Sequence, residues 1–229
     1  MTEASVLSPL PTPGTTAKAK RTKERLLRAA ERVFGANGFD RTSIAEITSG
    51  AEVSQGTFYC YFVDKKAVFV ALIDELGRAL RTALRVATSG LTSRLDIERA
   101  GFREFFRFVA AHRDLYRIVR QAEFVDESAY RTYYLRIAAG YTHALRRAMD
   151  DGQIRRADPE QLAWCLMGIG DFLGMRWVLW GNEAPDIEAL TDAALGLVRD
   201  GIAVPEPQRV VARRAAAKRV RTRTRGVLS

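Results

Sequence analysis

The chain has 229 residues, of which 47% are apolar and 28% are charged, and its formal net charge is +9. These are values of a globular protein with one large or two small domains. No apolar run approaches the roughly 20 residues that a membrane-spanning helix needs, and the first 21 residues lack a signal-peptide pattern, so we expect a cytoplasmic protein without a membrane partner.

The positive charge is concentrated at the two ends of the chain. Residues 205–229 contain eight Lys and Arg residues to one acid, and residues 1–21 contain three to one, so the stretch between them has no net charge. A basic end either binds nucleic acid through phosphate contacts or is simply solvated, and composition leaves both open. We predict a disordered segment at 1–20, folded domains at 21–66 and 67–204, and an Arg-rich tail at 205–229.

Three helices are predicted before residue 66. Apolar residues recur at spacings of three and four from Thr22 onward, until glycines end the first helix near Gly38. Ser43, with Glu46 three residues later, forms a capping box for a short second helix. Ser54 then caps a third helix, which we place at 55–61.

Longer amphipathic helices fill the rest of the chain. Asp64 caps a fourth helix that runs to Ala87, and the later ones are predicted at about 96–112, 127–150, 158–180 and 186–201. No stretch shows the sustained alternation of a β-strand. The predicted fold class is therefore all-α, with an N-terminal three-helix bundle and a larger helical domain.

The second and third helices lie close together and are joined by a turn of three to four residues, as in a helix-turn-helix. In that motif the second helix of the pair lies in the DNA major groove. Phe58 and Phe62 are predicted to face the small core, which an ordinary helical pair would also explain. The side chains off that face are Gln55, Thr57, Tyr59 and Tyr61. These are types that bond adenine edges, meet thymine methyl groups and hold phosphates.

Two segments, RLLRAAERVFGANGFDRTSIAEI and AEVSQGTFYCYFVDKKAVF, carry a wider similarity. With them, residues 22–66 resemble the DNA-binding domain of the tetracycline-repressor (TetR) family of bacterial transcription regulators. The resemblance implies a homodimer that binds a palindromic operator in double-stranded DNA and releases it when a small molecule enters the C-terminal domain, with repression as the family's usual outcome. It implies base contacts from Gln55, Gly56, Thr57 and Tyr59. It implies phosphate contacts from Thr42, Ser43, Tyr59, Tyr61 and Lys65.

Two residues depart from the family's pattern. Glu52 stands at the turn position that the family usually fills with Gly, and Thr48 stands where Ala is usual. A left-handed backbone at a residue other than Gly costs roughly 1 kcal/mol. Either the turn differs slightly at Glu52 or that cost is absorbed. Neither residue belongs to the predicted base-reading set.

The resemblance also implies an apolar effector cavity in the domain at 67–204. Most aromatic residues there are expected to be core, since aromatic stripes at helical spacing usually pack. The candidate ligand contacts are Phe105, Tyr116, Arg120, Phe124, Tyr134, Phe172 and Arg176. A buried Arg176 would need a partner, either an acid such as Asp171 or Glu123 or an anionic ligand. We therefore expect a hydrophobic acid or an acyl-CoA as the effector.

The last two helices, at 158–180 and 186–201, are predicted to pair with their copies in a four-helix dimer interface, although packing within one chain is the alternative. Glycines 168, 170 and 174 weaken the first of these helices, which close helix approach explains.

An enzyme is not expected, and neither is a metal site or a cofactor. The two histidines, His112 and His143, lack the spacing of a metal site, and no nucleophile elbow or phosphate-binding loop occurs. A constitutive or nucleoid-type DNA-binding protein without an effector is the main alternative. A domain of about 135 residues rich in aromatic side chains argues against it.

Overall fold

Helices fill most of the computed structural model, which describes residues 17–181 and 183–200. They are α1 (Ala17–Asn37), α2 (Ile44–Gly50), α3 (Gln55–Tyr59), α4 (Lys65–Ala87), α5 (Arg94–Ala111), α6 (Arg113–Val125), α7 (Glu127–Asp150), α8 (Pro159–Leu173) and α9 (Ile187–Asp200). A π-helical turn, Gly174–Leu179, follows α8 directly. No strand occurs among the described residues, and the all-α prediction is confirmed. The predicted tail at 205–229 and most of the predicted segment at 1–20 lie outside these residues.

The short helices α2 and α3 are fixed by their caps. The Ser43 hydroxyl accepts the Glu46 N–H at 3.2 Å, and the Glu46 carboxylate accepts the Ser43 N–H at 2.7 Å, which confirms the predicted capping box. The Ser54 hydroxyl accepts the Thr57 N–H at 3.1 Å. Helices of five to seven residues are unstable alone, so these bonds and the packing beneath them hold both in place.

One hydrophobic core joins the N-terminal helices to the body. It contains Phe34, Ile47 and Phe58 from α1, α2 and α3, and it continues through Phe69 of α4 to Ile118 of α6. Phe58 and Phe62 are both buried, as predicted. Helices α4 and α6 therefore pack against α1 on one side and belong to the body on the other.

A second core occupies the far end of the body. Phe102 and Phe106 of α5, Leu145 of α7 and Leu166 of α8 are buried there with Leu190 of α9. Helix α5 lies in the middle of the body, because it packs against α4, α8 and α9.

The stretch Pro159–Leu179 is long and apolar enough, by length and composition, to cross a membrane. The prediction that no stretch comes near that length is wrong for this helix. One such stretch is weak evidence for a span, because core helices have the same composition. Large apolar side chains on and after it are exposed within one chain, among them Trp164, Phe172, Trp177 and Trp180.

Candidate functional site

The turn between α2 and α3 has the left-handed residue that the sequence left open. Glu52 has a φ of 51°, and it is the only residue other than Gly with a positive φ in the described chain. Arg25 of α1 donates to the backbone carbonyls of Ala51 at 2.5 Å and Glu52 at 3.1 Å, and it pairs with the Glu52 carboxylate at 3.2 Å. Glu52 therefore has the left-handed backbone that usually takes Gly, and the Arg25 contacts help to offset its cost.

Helix α3 has one polar face that is exposed and an opposite aromatic face that is buried in the core. Gln55 and Gly56 are exposed, Tyr59 is 41% exposed, and Phe58 beneath them is fully buried. Thr57 is half-buried, with its hydroxyl 2.9 Å from that of Ser54. The four predicted base-reading residues thus lie together on one short helix, and their contacts to bases remain predictions.

Helix α3 is two residues shorter than predicted. It ends at Tyr59, and the N–H groups of Cys60 and Tyr61 bond carbonyls only three residues back. Tyr61 is half-buried against the core and sits in the turn that follows the helix. Ser43, predicted to hold a phosphate, is exposed at the N-terminus of α2, where its hydroxyl also lies 2.8 Å from Glu46.

Two of the predicted phosphate contacts are turned inward. Thr42 is only 2% exposed, and its hydroxyl donates to the Gly38 carbonyl at 2.7 Å. The Lys65 ammonium donates to the carbonyls of Phe39 at 2.8 Å, Asp40 at 3.2 Å and Thr42 at 2.9 Å. An ammonium has three donors, so Lys65 is fully used in holding the α1–α2 loop. Both side chains are bonded to protein in this structure, which disfavours phosphate contacts from them, and those contacts remain predictions.

Basic residues at the start of α1 were not predicted as part of this face. Lys18 and Arg21 are exposed, and they lie seven and four residues before Arg25, which contacts the α2–α3 turn. Residues at those spacings share one helix face. The cluster lies on the side of α1 that borders the turn, and the high net charge of the chain was the only signal for it.

The body encloses an apolar cavity of about 480 Å³. Helices α4, α5, α6, α7 and α8 form its walls, with Phe102, Phe105, Val109 and Leu166 among the lining side chains. Of the seven predicted ligand contacts, Phe105, Tyr116 and Tyr134 line this cavity.

The other four predicted contacts lie outside the cavity. Phe124 is 88% exposed and Phe172 is 67% exposed. The Arg120 guanidinium is exposed and lies 3.1 Å from the Met175 sulfur. The exposed Arg176 side chain lies over the Trp177 ring, 5.3 Å from its centroid, and pairs with no acid among the described residues. The buried face of this helix runs through Ala163, Leu166, Gly170, Gly174 and Val178, so Arg176 lies off it, as Cys165 and Phe172 already do before the π-helical turn.

Burial raises the pKa values of groups around the cavity. It is the largest cause of the raised pKa of Asp171, and the nearby Arg120 charge opposes it. The pKa values of Tyr116 and Tyr134 are raised well above their usual range, by burial first and by the Asp171 charge second. Both phenols therefore stay protonated near neutral pH and can donate hydrogen bonds.

Helix α6 connects the cavity to the DNA-binding helices. Its Tyr116 and Val119 line the cavity, while its Gln121 side chain accepts the Phe39 N–H at 2.6 Å. Asp114 of α6 packs so tightly on Gly35 of α1 that a Cβ at Gly35 would lie 2.2 Å from the carboxyl carbon. A displacement of α6 by a bound molecule would therefore reach α1 and the α1–α2 loop directly.

Several known proteins are similar to this chain in sequence. Residues 26–72 match the family described as bacterial regulatory proteins, tetR family. The transcriptional regulator TtgR of Pseudomonas putida is 27% identical over 80% of this chain and 93% of its own length. The transcriptional repressor KstR2 of Rhodococcus jostii is 24% identical over 87% of this chain and 99% of its own length.

The fold of the whole described chain is shared as well. The transcriptional regulator FadR of Bacillus subtilis, solved in complex with stearoyl-CoA, superposes with a TM-score of 0.71 at 19% identity, over 79% of this chain and 99% of FadR. The match at 26–72 and relatives that span most of the chain agree on one assignment. Residues 26–72 are thus similar to the DNA-binding domain of the tetR family, and the chain is similar to transcription regulators over most of its length.

Proposed function

We propose that this regulator is a homodimer that binds a palindromic operator, most simply as a repressor, and leaves it when a hydrophobic small molecule fills the body cavity. The observation that carries this proposal is that α4 and α6 form walls of the cavity and also pack against the DNA-binding helices. Residues 21–66 act as the reading domain and 67–204 as the sensing and dimerisation domain. The protein works in the cytoplasm, where its operator lies.

Helix α3 reads the operator in the major groove. Gln55, Gly56, Thr57 and Tyr59 meet base edges, because the described structure leaves their face exposed over a buried Phe58. Ser43, Tyr59 and Tyr61 hold phosphates on either side. Lys18 and Arg21 add phosphate contacts from the start of α1, since their charges border the α2–α3 turn.

The dimer forms through α8, the π-helical turn and α9. Trp164, Phe172, Trp177, Trp180 and Leu197 are between 41% and 67% exposed in one chain. A soluble monomer rarely exposes so many large apolar side chains together. A partner chain that covers them would place the two copies of α3 roughly 34–36 Å apart, one turn of DNA.

The effector is mostly apolar, as its cavity is. Phe102, Phe105, Val109 and Leu166 supply apolar walls, and a volume of about 480 Å³ accepts a drug-sized molecule or an acyl chain. Stearoyl-CoA in the FadR complex is one chemical precedent on the same fold, and so acyl-CoAs belong among the compounds to test.

Effector binding acts by changing the spacing of the two reading domains. A shift from mostly bound to mostly free DNA needs about 5.5 kcal/mol of preference for the released state. Displacement of α6 would be transmitted to α1 at Gly35 and through the Gln121–Phe39 hydrogen bond, and displacement of α4 through the shared core.

The proposal is tested in two stages with the purified full chain. A random DNA library yields the preferred site, which should be a palindrome with half-sites one helical turn apart. Thermal melting is then measured against hydrophobic acids, acyl-CoAs, neutral aromatic compounds and lipophilic cations, and each compound that raises the melting temperature is retested for release of that DNA.

Release by at least one stabilising compound is the expected outcome. A site without dyad symmetry would contradict the dimeric reading. Compounds that bind and stabilise the protein but leave the DNA complex intact would contradict the sensing role and favour a constitutive binder.

A further inference from the structure

The cavity is apolar along its length but has two polar clusters in its walls. One consists of Arg94, Glu98 and Tyr141, and the other is built around Asp171 with Tyr116 and Tyr134. Apolar pockets gain specificity from a few placed polar groups, so these clusters indicate which groups a bound molecule must carry.

The first cluster offers a hydrogen-bond donor to the cavity. Arg94 and Glu98 are each only 4% exposed, and the Arg94 Nε and Nη2 atoms both donate to Glu98 Oε1. The Tyr141 hydroxyl donates to Glu98 Oε2, so both carboxylate oxygens are occupied. Arg94 Nη1 has no partner among the described residues.

This unpaired nitrogen is open to the cavity and is not enclosed by protein. In the described part of the chain, Arg103 Nε is the only buried side-chain nitrogen or oxygen without a partner. Arg94 Nη1 is thus not sealed off, although its residue is 96% buried and borders the cavity. A carbonyl or ether oxygen of a bound molecule is the group that would satisfy it.

The second cluster offers a hydrogen-bond acceptor. Asp171 lines the cavity, and the Tyr116 hydroxyl lies beside it, 3.4 Å from its backbone carbonyl. A carboxylate has about four acceptor positions, and one tyrosine fills at most one of them. The rest remain available to a hydroxyl or amine that reaches this end.

The distance between the clusters follows from helix geometry. Tyr134 belongs to the Asp171 cluster and Tyr141 bonds Glu98, and these two tyrosines are seven residues apart on α7. Seven residues are about two turns, or roughly 10 Å, on one helix face. Ile137 lies between them and lines the cavity, so the intervening wall is apolar.

The charge of the clusters disfavours an anion. Arg94 and Glu98 neutralise each other, which leaves Asp171 as the one acid of the lining without a bonded counter-ion among the described residues. A ligand carboxylate brought into this space would be desolvated and would meet a like charge. Arg81, Arg85 and Arg136 also line the cavity, but Arg85 and Arg136 are exposed and Arg136 is paired with Asp74.

Taking the effector-binding role of the cavity as given, we infer that the effector is an elongated, uncharged or cationic molecule. It has a hydrogen-bond acceptor at one end for Arg94, a donor about 10 Å away for Asp171, and an apolar body between them. Under this inference a free hydrophobic acid, one of the two effectors that the sequence suggested, binds less well than an uncharged molecule of the same length.

A matched probe series tests this inference on the unmodified protein. Methyl 10-hydroxydecanoate carries both groups at about the required spacing, methyl decanoate lacks the donor, 1-decanol lacks the carbonyl, and 10-hydroxydecanoic acid carries a charge. Dissociation constants are measured by calorimetry at pH 7. The two-ended ester should bind about tenfold more tightly than either one-ended probe, and the acid most weakly.

Variants assign each end of the probe. Asp171→Asn should reduce the advantage of the hydroxyl, with Glu123→Gln at an exposed site as the control. Truncating Arg94 alone would leave Glu98 buried and unpaired, so the triple variant Arg94→Met, Glu98→Leu, Tyr141→Phe removes the whole cluster. It should reduce binding of both esters about tenfold and leave 1-decanol unchanged.

The outcomes separate this inference from the proposed function. Equal affinities for all four probes, or tightest binding of the acid, would overturn the two-ended effector but leave the cavity as the sensing site. Probe affinities that neither cavity variant changes would place the probe outside the polar clusters and overturn the inference, while the compound panel and DNA release still test the proposed function. Absence of binding by the whole series would also overturn the inference, while the compound panel would still decide the function.

Discussion

Both the reading segment and the body have long side chains bonded to backbone carbonyls, but the body also has polar side chains beside an open cavity. In the segment from α1 to the start of α4, long side chains fasten backbone: Arg25 binds two carbonyls of the α2–α3 turn, and Lys65 binds three of the α1–α2 loop. In the body, Arg113 binds the Val178 and Gly181 carbonyls in the same way, but Arg94 and Asp171 line an open cavity. The DNA-binding segment is held together by the hydrogen bonds of Arg25 and Lys65, and the body has space in which its helices can rearrange.

This difference indicates where the conformational change occurs. A reading head held by side-chain-to-backbone bonds is expected to move as a rigid unit, as in hinge-type switches. The cavity walls, which include parts of α4 and α6, can shift when a molecule enters. Effector binding should therefore change the distance and orientation between the two DNA-binding segments of the dimer. The internal structure of each segment should stay the same.

The largest effect should come from the outward face of the reading head. Tyr59→Ala should weaken specific DNA binding by about 10- to 100-fold or more, because a base contact at each half-site is lost. Folding and dimerisation should be unchanged, since Tyr59 is largely outside the core. Fluorescence anisotropy and sedimentation measure the two properties.

Val63→Ala is the control for that change. Val63 is exposed and lies just beyond α3, so its truncation should affect neither property. Dissociation of the Tyr59→Ala dimer would show that Tyr59 is structural, and unchanged DNA affinity would remove it from the reading face.

The next effect concerns the hydrogen bonds by which Lys65 holds the α1–α2 loop. Lys65→Met should destabilise the protein by about 2 kcal/mol, because three carbonyls lose a charged donor. Chemical denaturation measures that loss. The slope of log K for DNA against log salt should stay the same, since Lys65 is bonded to protein.

Lys66→Met is the matched comparison, since Lys66 is exposed and pairs with Asp126 at 3.0 Å. It should cost much less stability, because exposed ion pairs are weak. If Lys65→Met lowered the salt slope by about one per contact, Lys65 would be a phosphate ligand after all.

A third change tests close packing beside the cavity. A Cβ at Gly174 would lie 2.3 Å from the Tyr116 hydroxyl oxygen. Gly174→Ala should therefore cost about 1–3 kcal/mol of unfolding free energy. In a Tyr116→Phe background the same substitution should cost less, as the nearest remaining ring atom is 3.1 Å away. Equal costs in both backgrounds would mean that the strain lies elsewhere.

The smallest effect is expected at the left-handed turn. Glu52→Gly removes a backbone cost of roughly 1 kcal/mol, partly offset by the loss of an exposed ion pair with Arg25. It should raise stability by about 0.5 kcal/mol in thermal melts. Glu52→Ala also loses the ion pair with Arg25 but keeps the backbone strain, so it should be less stable than Glu52→Gly. Equal stabilities of the two variants would show that the left-handed backbone at residue 52 is not strained.

Sequence reasoning succeeded where structure is local. The capping box at Ser43, the caps at Ser54 and Asp64, and the buried Phe58 and Phe62 depend on residues a few positions apart. Such patterns are readable in one sequence. They located the reading head and its exposed face.

The body was harder to predict because its lining depends on helix rotation and on partners far away in sequence. The buried face of α8 and the π-helical turn contains Gly170, Gly174 and Val178, so Arg176 lies off it, and Phe124 lies in the last turn of α6, away from the face that carries Tyr116. The Arg94–Glu98–Tyr141 cluster joins two helices 43 residues apart, and no local pattern indicates that contact. The hydrogen bonds of Lys65 to backbone carbonyls could not be foreseen for the same reason, since those carbonyls lie 23 to 26 residues earlier in the chain.

The most direct test of the coupling between body and head is a closed thermodynamic cycle. The dissociation constant of the selected operator is measured with and without a saturating cavity ligand, and that of the ligand with free and with operator-bound protein. Both ratios should equal one factor of about 10 or more, because coupling between two sites is reciprocal. A ligand that binds the cavity with both ratios near one would show that the cavity and the DNA-binding helices are not coupled. That result would contradict the proposed release of DNA by an effector.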